Sequence, residues 1–285
     1  HNKEAIQAAS VFGTHFSADG LRHLIGDPKF DCRALTDAFL LRPEGAEYAF
    51  AHALIRDGAY ESLPHSRKRV LHLSAAAWYC ELDPVLYAEH LDRADDEKAA
   101  TAYAFAARSQ IAALRLDSAR VLAERGSVVA DTNEVRFQLL ALVGEIRRRV
   151  GDPLASIAAY QDANAIAGND RETAISQIGI AAGARMTGAT EDGLQALSTA
   201  EPAALRLDNP EILLAQIGYY RGGLLFGRGD REGCIVAHEM AYRNAVAADD
   251  PVWTAHALSG LGDAHYAAGR MAQALENFHK CIELC

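Results

Sequence analysis

The chain has 285 residues, half of them hydrophobic, with 28 basic against 38 acidic side chains. A formal net charge of −10 excludes a general nucleic-acid clamp, which needs clustered Lys and Arg to neutralise phosphate. Five scattered cysteines do not form a disulfide framework and point to a reducing cytoplasm, and no apolar run approaches the length of a membrane span.

The acidity is uneven. Residues 1–82 hold nine basic and ten acidic side chains, while the remainder holds nineteen and twenty-eight. Scarce proline and abundant alanine favour helix throughout. KEAIQAASVFG carries apolar residues at helical spacing, and SADGLRHLIG follows with Ser17 as an N-cap. DCRALTDAFLL predicts a third short helix. LLRPEGAEYAFAH alternates around Pro43-Glu44-Gly45, a turn between two short strands. Three helices and a hairpin predict a winged-helix-like module over 1–82, completed by two linking helices, HALIRDGAYESL and PHSRKRVLHLSAAAWYC.

From 83 to 285 the pattern is repetitive. Two helices, at about 96–114 and 116–130, form a first atypical pair. Four copies of a longer unit follow, anchored at Gly144, Ala181, Gly222 and Gly262, at intervals of 37, 41 and 40 residues. In each, a glycine lies seven places on (Gly151, Gly188, Gly229, Gly269) and a larger residue sixteen places on (Tyr160, Leu197, His238, Phe278). The first position lets two helices approach closely, the second permits a turn at positive φ, and the third packs the second helix back onto the first.

This pattern resembles the tetratricopeptide repeat (TPR), whose Leu-Gly, Tyr, Ala, Phe and Ala places are filled here by Leu261-Gly262, Tyr266 (one place late), Ala274, Phe278 and Cys281. The expected fold is mainly α: the winged-helix-like module followed by a right-handed TPR-like α-solenoid. The inner wall of such an array is built from the first helix of each pair. Its partner-binding candidates are Gln138, Glu145, Arg148, Arg185, Gln216, Tyr219, Phe226, His256, Asp263 and Tyr266, with Ser259 among them. Tyr and Arg are good interface anchors, although aromatic residues on repeat helices are also core residues.

The order AASVFGTHFSADGL, then FAHALIRDGAYESLPHSRKRVLH, then DPVLYAEHLDRADDEKAATAY resembles the region that follows the nucleotide-binding core in bacterial STAND-type signalling ATPases. Phe50-Ala51-His52-Ala53-Leu54 with Ala59-Tyr60 and Ser62-Leu63 carries the likeness most specifically. The resemblance implies an ATPase core ahead of this region, often behind a class III adenylate or guanylate cyclase domain, and a regulatory role for the region itself. It also implies that His52 senses the bound nucleotide; the plainer alternative is a polar residue closing a helix start. The chain begins without Met and stops within a helical pattern, so a piece of a longer polypeptide is expected.

Other chemistry is poorly supported. No Gly-x-x-x-x-Gly-Lys-Ser/Thr phosphate loop occurs, and no nucleophile elbow supports a Ser-His-Asp triad. His65 and His72 lie two helical turns apart without converging ligands, and Cys281 with Cys285 lacks two further ligands for a metal. Arg67-Lys68-Arg69 reads as a solvated face or a docking surface, and Arg33 between Asp31 and Asp37 makes a poor DNA-reading helix. The expectation is a non-catalytic fragment without a cofactor that binds a protein or peptide on the concave surface, or the ATPase core of its own polypeptide, with no nucleic acid and no membrane. The alternative is the inducer-sensing region of a LuxR- or SARP-type transcriptional regulator holding a small molecule.

Overall fold

The computed structural model describes residues 1–284. Cys285, and with it the Cys281/Cys285 pair, lies outside the described residues. The chain divides into two compact units, one over residues 1–131 and one from 132 onward.

The first unit opens with α1 (Asn2–Phe12), β1 (His15–Ser17), α2 (Ala18–Ile25), α3 (Arg33–Asp37), β2 (Leu41–Glu44) and β3 (Glu47–Phe50). The strands form an antiparallel sheet in the order β1-β3-β2, with Phe16 opposite Tyr48 and Leu41 opposite Phe50. The hairpin turns at Gly45, whose φ of 64° suits a residue without Cβ. The Ser17 hydroxyl accepts the Gly20 amide and caps α2. Strand β1 was not foreseen, because three residues are too few to display alternation. Helix α3 is also shorter than its apolar spacing suggests. It stops before Phe39, which takes a left-handed φ of 56° and is 83% exposed.

Side chains from all these elements meet in one core that includes Ala5, Val11, Phe16, Leu21, Leu35, Leu41, Phe50, Leu63 and Leu71. Leu63 lies between α4 (Ala53–Glu61) and α5 (His65–Tyr79), Leu71 lies midway along α5, and α1 packs against both helices. Then α6 (Pro84–Arg93), α7 (Ala99–Ala112) and α8 (Leu116–Val129) stack in sequence, each on the one before. Asp92 ties the three together. It accepts both Arg125 guanidinium bonds, at 2.7 and 2.8 Å, and the Tyr103 hydroxyl at 2.9 Å.

The second unit is four helical pairs: α9 (Asn133–Arg149) with α10 (Pro153–Ala165), α11 (Asp170–Thr187) with α12 (Thr190–Leu205), α13 (Glu211–Arg228) with α14 (Arg231–Ala247), and α15 (Pro251–Ala267) with α16 (Met271–Glu283). Each pair turns at a glycine with positive φ: Gly151 at 81°, Gly188 at 76°, Gly229 at 82° and Gly269 at 74°. Missing side chains then set the helix spacing. A Cβ on Gly144 would lie 2.6 Å from the Tyr160 ring, one on Gly222 2.4 Å from His238, and one on Gly262 2.3 Å from Phe278. Glycine is required there because the second helix drives its ring onto the backbone of the first.

A second clamp was not anticipated. Tyr160 also meets Gly179 of the next pair, where a Cβ would stand at 2.5 Å, and His238 meets Gly260 at 2.3 Å. Each ring thus locks its own pair to the following one. The first helices touch in a row, α9 on α11, α11 on α13 and α13 on α15, which makes theirs the tighter, inner wall of the solenoid.

Candidate functional site

Because α9, α11, α13 and α15 lie side by side, residues on their common face are brought together. A cavity of about 470 Å³ is lined by Glu145, Arg148 and Arg149 of α9, Arg185 of α11, Gln216, Tyr219 and Tyr220 of α13, and Trp253 and His256 of α15. A smaller one, about 250 Å³, adjoins through Arg185 and Tyr219 and adds Gly223, Phe226, His238, Ser259 and Asp263. Of the residues named from sequence, Glu145, Arg148, Arg185, Gln216, Tyr219 and His256 line the first cavity, and Phe226 and Asp263 join in the second. Gln138 is exposed on α9 and Tyr266 is 63% exposed on α15; neither lines these cavities.

Three contributors were missed by sequence reasoning. Trp253 stacks edge-on to Tyr219 at 5.7 Å and lies 5.1 Å from His256, while Tyr219 and His256 are 5.3 Å apart, so the three rings form one cluster. Tyr220 adds a further ring at 5.3 Å from Tyr219. Gly223 provides room: a Cβ there would lie 2.7 Å from Cδ of Arg185. The guanidinium of Arg185 consequently lies over both tyrosines, 5.8 and 6.0 Å from the ring centroids.

The charges are unevenly satisfied. Arg149 pairs with Glu145 at 2.5 Å, but among the described residues Arg148 and Arg185 form no ion pair. Burial, followed by the positive fields of Arg148 and Arg185, lowers the pKa of His256 and favours its neutral ring. His238, 4% exposed, is pushed down to about 4 by burial and then by Arg185. Its Nδ1 is buried without a hydrogen-bond partner. Partial burial raises the Asp263 carboxyl.

His52 lies in the first unit. It is the exposed residue ahead of α4, in extended backbone geometry, and its ring makes no capping hydrogen bond. Tyr60, Lys68 and His72 of its stretch are engaged in structure. Tyr60 hydrogen-bonds Nε2 of His72 at 3.0 Å, and Nδ1 of His72 faces Nδ1 of His90 at 2.9 Å, where one ring donates and the other accepts. His72 and His90 are buried, whereas His65, on the same helix as His72, is exposed. Lys68 lies 4.3 Å from the Tyr60 ring and 3.3 Å from Glu61. A cavity of about 570 Å³ on α6–α8 surrounds the Asp92–Arg125–Tyr103 cluster, whose polar groups already satisfy one another.

No group of three or more His, Cys, Asp or Glu side chains suited to a metal occurs among the described residues, and none of their helices is long and apolar enough to cross a membrane. No family model matches the chain, and no curated protein matches it in sequence. Solved structures do. One is a Signal Transduction ATPase with Numerous Domains (STAND) protein with a tetratricopeptide repeat sensor from Pyrococcus horikoshii, with TM-score 0.61 and 11% identity over 99% of this chain. The alignment covers 44% of that protein, so the chain spans less than half of its length. Another is BtubC from P. vanneervenii, with TM-score 0.54 and 16% identity over 78% of this chain and 91% of that one. At these identities the likeness is one of fold, and the fold is a TPR-like α-solenoid.

Proposed function

We propose that this chain is a regulatory, protein-binding region of a multidomain signalling ATPase, with residues 1–82 serving as a winged-helix-like joint and 83–285 as the repeat array. In this reading the inner wall takes a protein or peptide, or the ATPase core of the same polypeptide. Binding there favours one docking arrangement over another and so gates nucleotide turnover. The observation that carries the reading is the groove across α9, α11, α13 and α15, where arginine and aromatic side chains from four separate pairs converge. The fold likeness to a STAND protein with a repeat sensor supports it, as do the three helices and small antiparallel sheet that open the chain. His52, exposed and uncapped, suits a side chain that reads a neighbouring nucleotide. An inducer site asks for an enclosed apolar cavity, and both groove cavities carry arginine or carboxylate.

The test is selection of displayed random peptides on the whole chain, followed by titration against a variant combining Tyr219→Ala, Phe226→Ala and Tyr266→Ala. Selected peptides should lose at least tenfold in affinity while the variant keeps its helical circular dichroism. Peptides that bind both proteins equally would remove the groove from the reading.

A further inference from the structure

The two adjoining cavities show two features that packing does not require. Among the described residues Arg148 and Arg185 have no carboxylate partner, although the chain from 132 onward holds nineteen acidic residues against thirteen basic ones. Beside the arginines lie the rings of Tyr219, Trp253 and His256, partly or largely open to solvent. Two cations that share a groove without carboxylate partners repel one another, and a ligand carboxylate relieves that repulsion.

Taking the groove as the partner-binding face, we propose that its occupant is an extended acidic peptide. A side-chain or terminal carboxylate is held by Arg148 and Arg185, and the adjoining residues lie along the aromatic rings toward His238 and Asp263. A carboxylate suits a pair of guanidiniums, which donate two parallel bonds each. The rings offer apolar contact for the neighbouring side chains, and His238 closes the wall of the smaller cavity. The two cavities join through Arg185 and Tyr219, which makes the site elongated rather than a single cup. Asp263 at the far end disfavours a uniform polyanion such as nucleic acid or polyphosphate, and instead accepts from an N–H or a cationic side chain. The chemistry selected is therefore acidic at one end and hydrogen-bond-donating at the other.

The experiment uses the whole chain and two pools of fluorescein-labelled octapeptides with random flanks. One pool has Asp or Glu fixed at a central position; the other has Asn or Gln there. Fluorescence anisotropy should show the acidic pool binding at least tenfold more tightly, with the preference shrinking as salt is raised. The preference should vanish in the Arg148→Ala, Arg185→Ala double variant, and fall severalfold in Arg185→Gln alone, which keeps much of the stem's packing should the double variant fold poorly. Equal binding of the two pools, lost on Tyr219→Ala with Phe226→Ala, would overturn the acid preference while leaving the groove as the binding face. Binding of neither pool would overturn both. Binding of ATP or inorganic phosphate at the arginines without the acidic pool would replace the peptide with a phosphate ligand.

Discussion

Gly223 leaves the space that the Arg185 stem fills, since a methyl group on Gly223 would stand 2.7 Å from Arg185 Cδ. The obstruction is a flexible side chain rather than backbone, so Gly223→Ala is expected to move the guanidinium off the tyrosine rings instead of disrupting α13. Alanine also improves helix propensity by up to about 1 kcal/mol. The expected outcome is unchanged or slightly raised thermal stability with a three- to tenfold loss of acidic-peptide affinity. Calorimetry and anisotropy on the same variant check both parts.

The clamp on Tyr160 predicts the opposite sign. Its ring lies between Gly144 and Gly179, with no room at either backbone. Gly179→Ala should therefore destabilise the second unit by about 1–3 kcal/mol, the usual cost of overpacking, despite the gain in propensity. Gly58 in α4 is the control, since a Cβ there meets nothing within 4 Å. Gly58→Ala should stabilise by about 0.5–1 kcal/mol. Urea titrations that moved both variants in one direction would contradict the clamp.

Acid should weaken the first unit through His72 and His90. Burial first, then the mutual field of the two rings and those of Arg93 and Lys68, pushes His72 from 6.5 down to about 3. Burial and Arg93 bring His90 down to about 4. The unfolded chain therefore takes up protons that the folded chain refuses. Stability is fully present above about pH 6.5 and is lost as the pH falls toward 4, by about 2 kcal/mol per ring at pH 5. His72→Gln should remove about 2 kcal/mol of the difference between unfolding at pH 7 and pH 5. An identical pH dependence in wild type and variant would show that the pair is not its source.

Asp92 is expected to matter more than its surface neighbours. It is 13% exposed and holds Tyr103 and Arg125 from two other helices, whereas Arg125 is half exposed. Asp92→Asn should cost about 1–2 kcal/mol after allowance for the solvent that reaches the arginine. Asp117→Asn, early in α8, should cost under about 0.5 kcal/mol. Thermal melts of the two variants side by side make the comparison.

Much of the solenoid was readable because its spacing is set by chemistry that repeats. Gly151, Gly188, Gly229 and Gly269 recur where the backbone turns left-handed, and Tyr160, His238 and Phe278 recur where a ring meets a glycine. The clamp to the following pair was hidden, because Gly179 and Gly260 are two places off the repeat anchor and read as ordinary helix. The groove was partly legible, through Arg148, Arg185, Tyr219 and His256 at inward positions. Trp253 was overlooked because it lies a full turn nearer the start of α15 than the positions counted from Gly262. The His72–His90 contact could not be read at all. Eighteen residues and a helix turn separate the two rings, and nothing in their spacing distinguishes His72, fully buried, from His65, which faces solvent.

The ring-on-glycine clamp also forbids shuffling. At two junctions the bulk comes from the second helix, as Tyr160 against Gly144 and Gly179 and as His238 against Gly222 and Gly260. At the junction between them the sizes are exchanged: Leu197 stands in the place of the ring and Tyr220 in that of the following glycine, both in one apolar cluster. A chimera that placed the third pair directly behind the first would seat Tyr220 where Gly179 receives Tyr160, and one that placed the second pair directly ahead of the fourth would leave Leu197 facing Gly260 in place of a ring. Each pair therefore carries an address in its side-chain volumes: a pair that ends in a ring must be followed by one that offers a glycine.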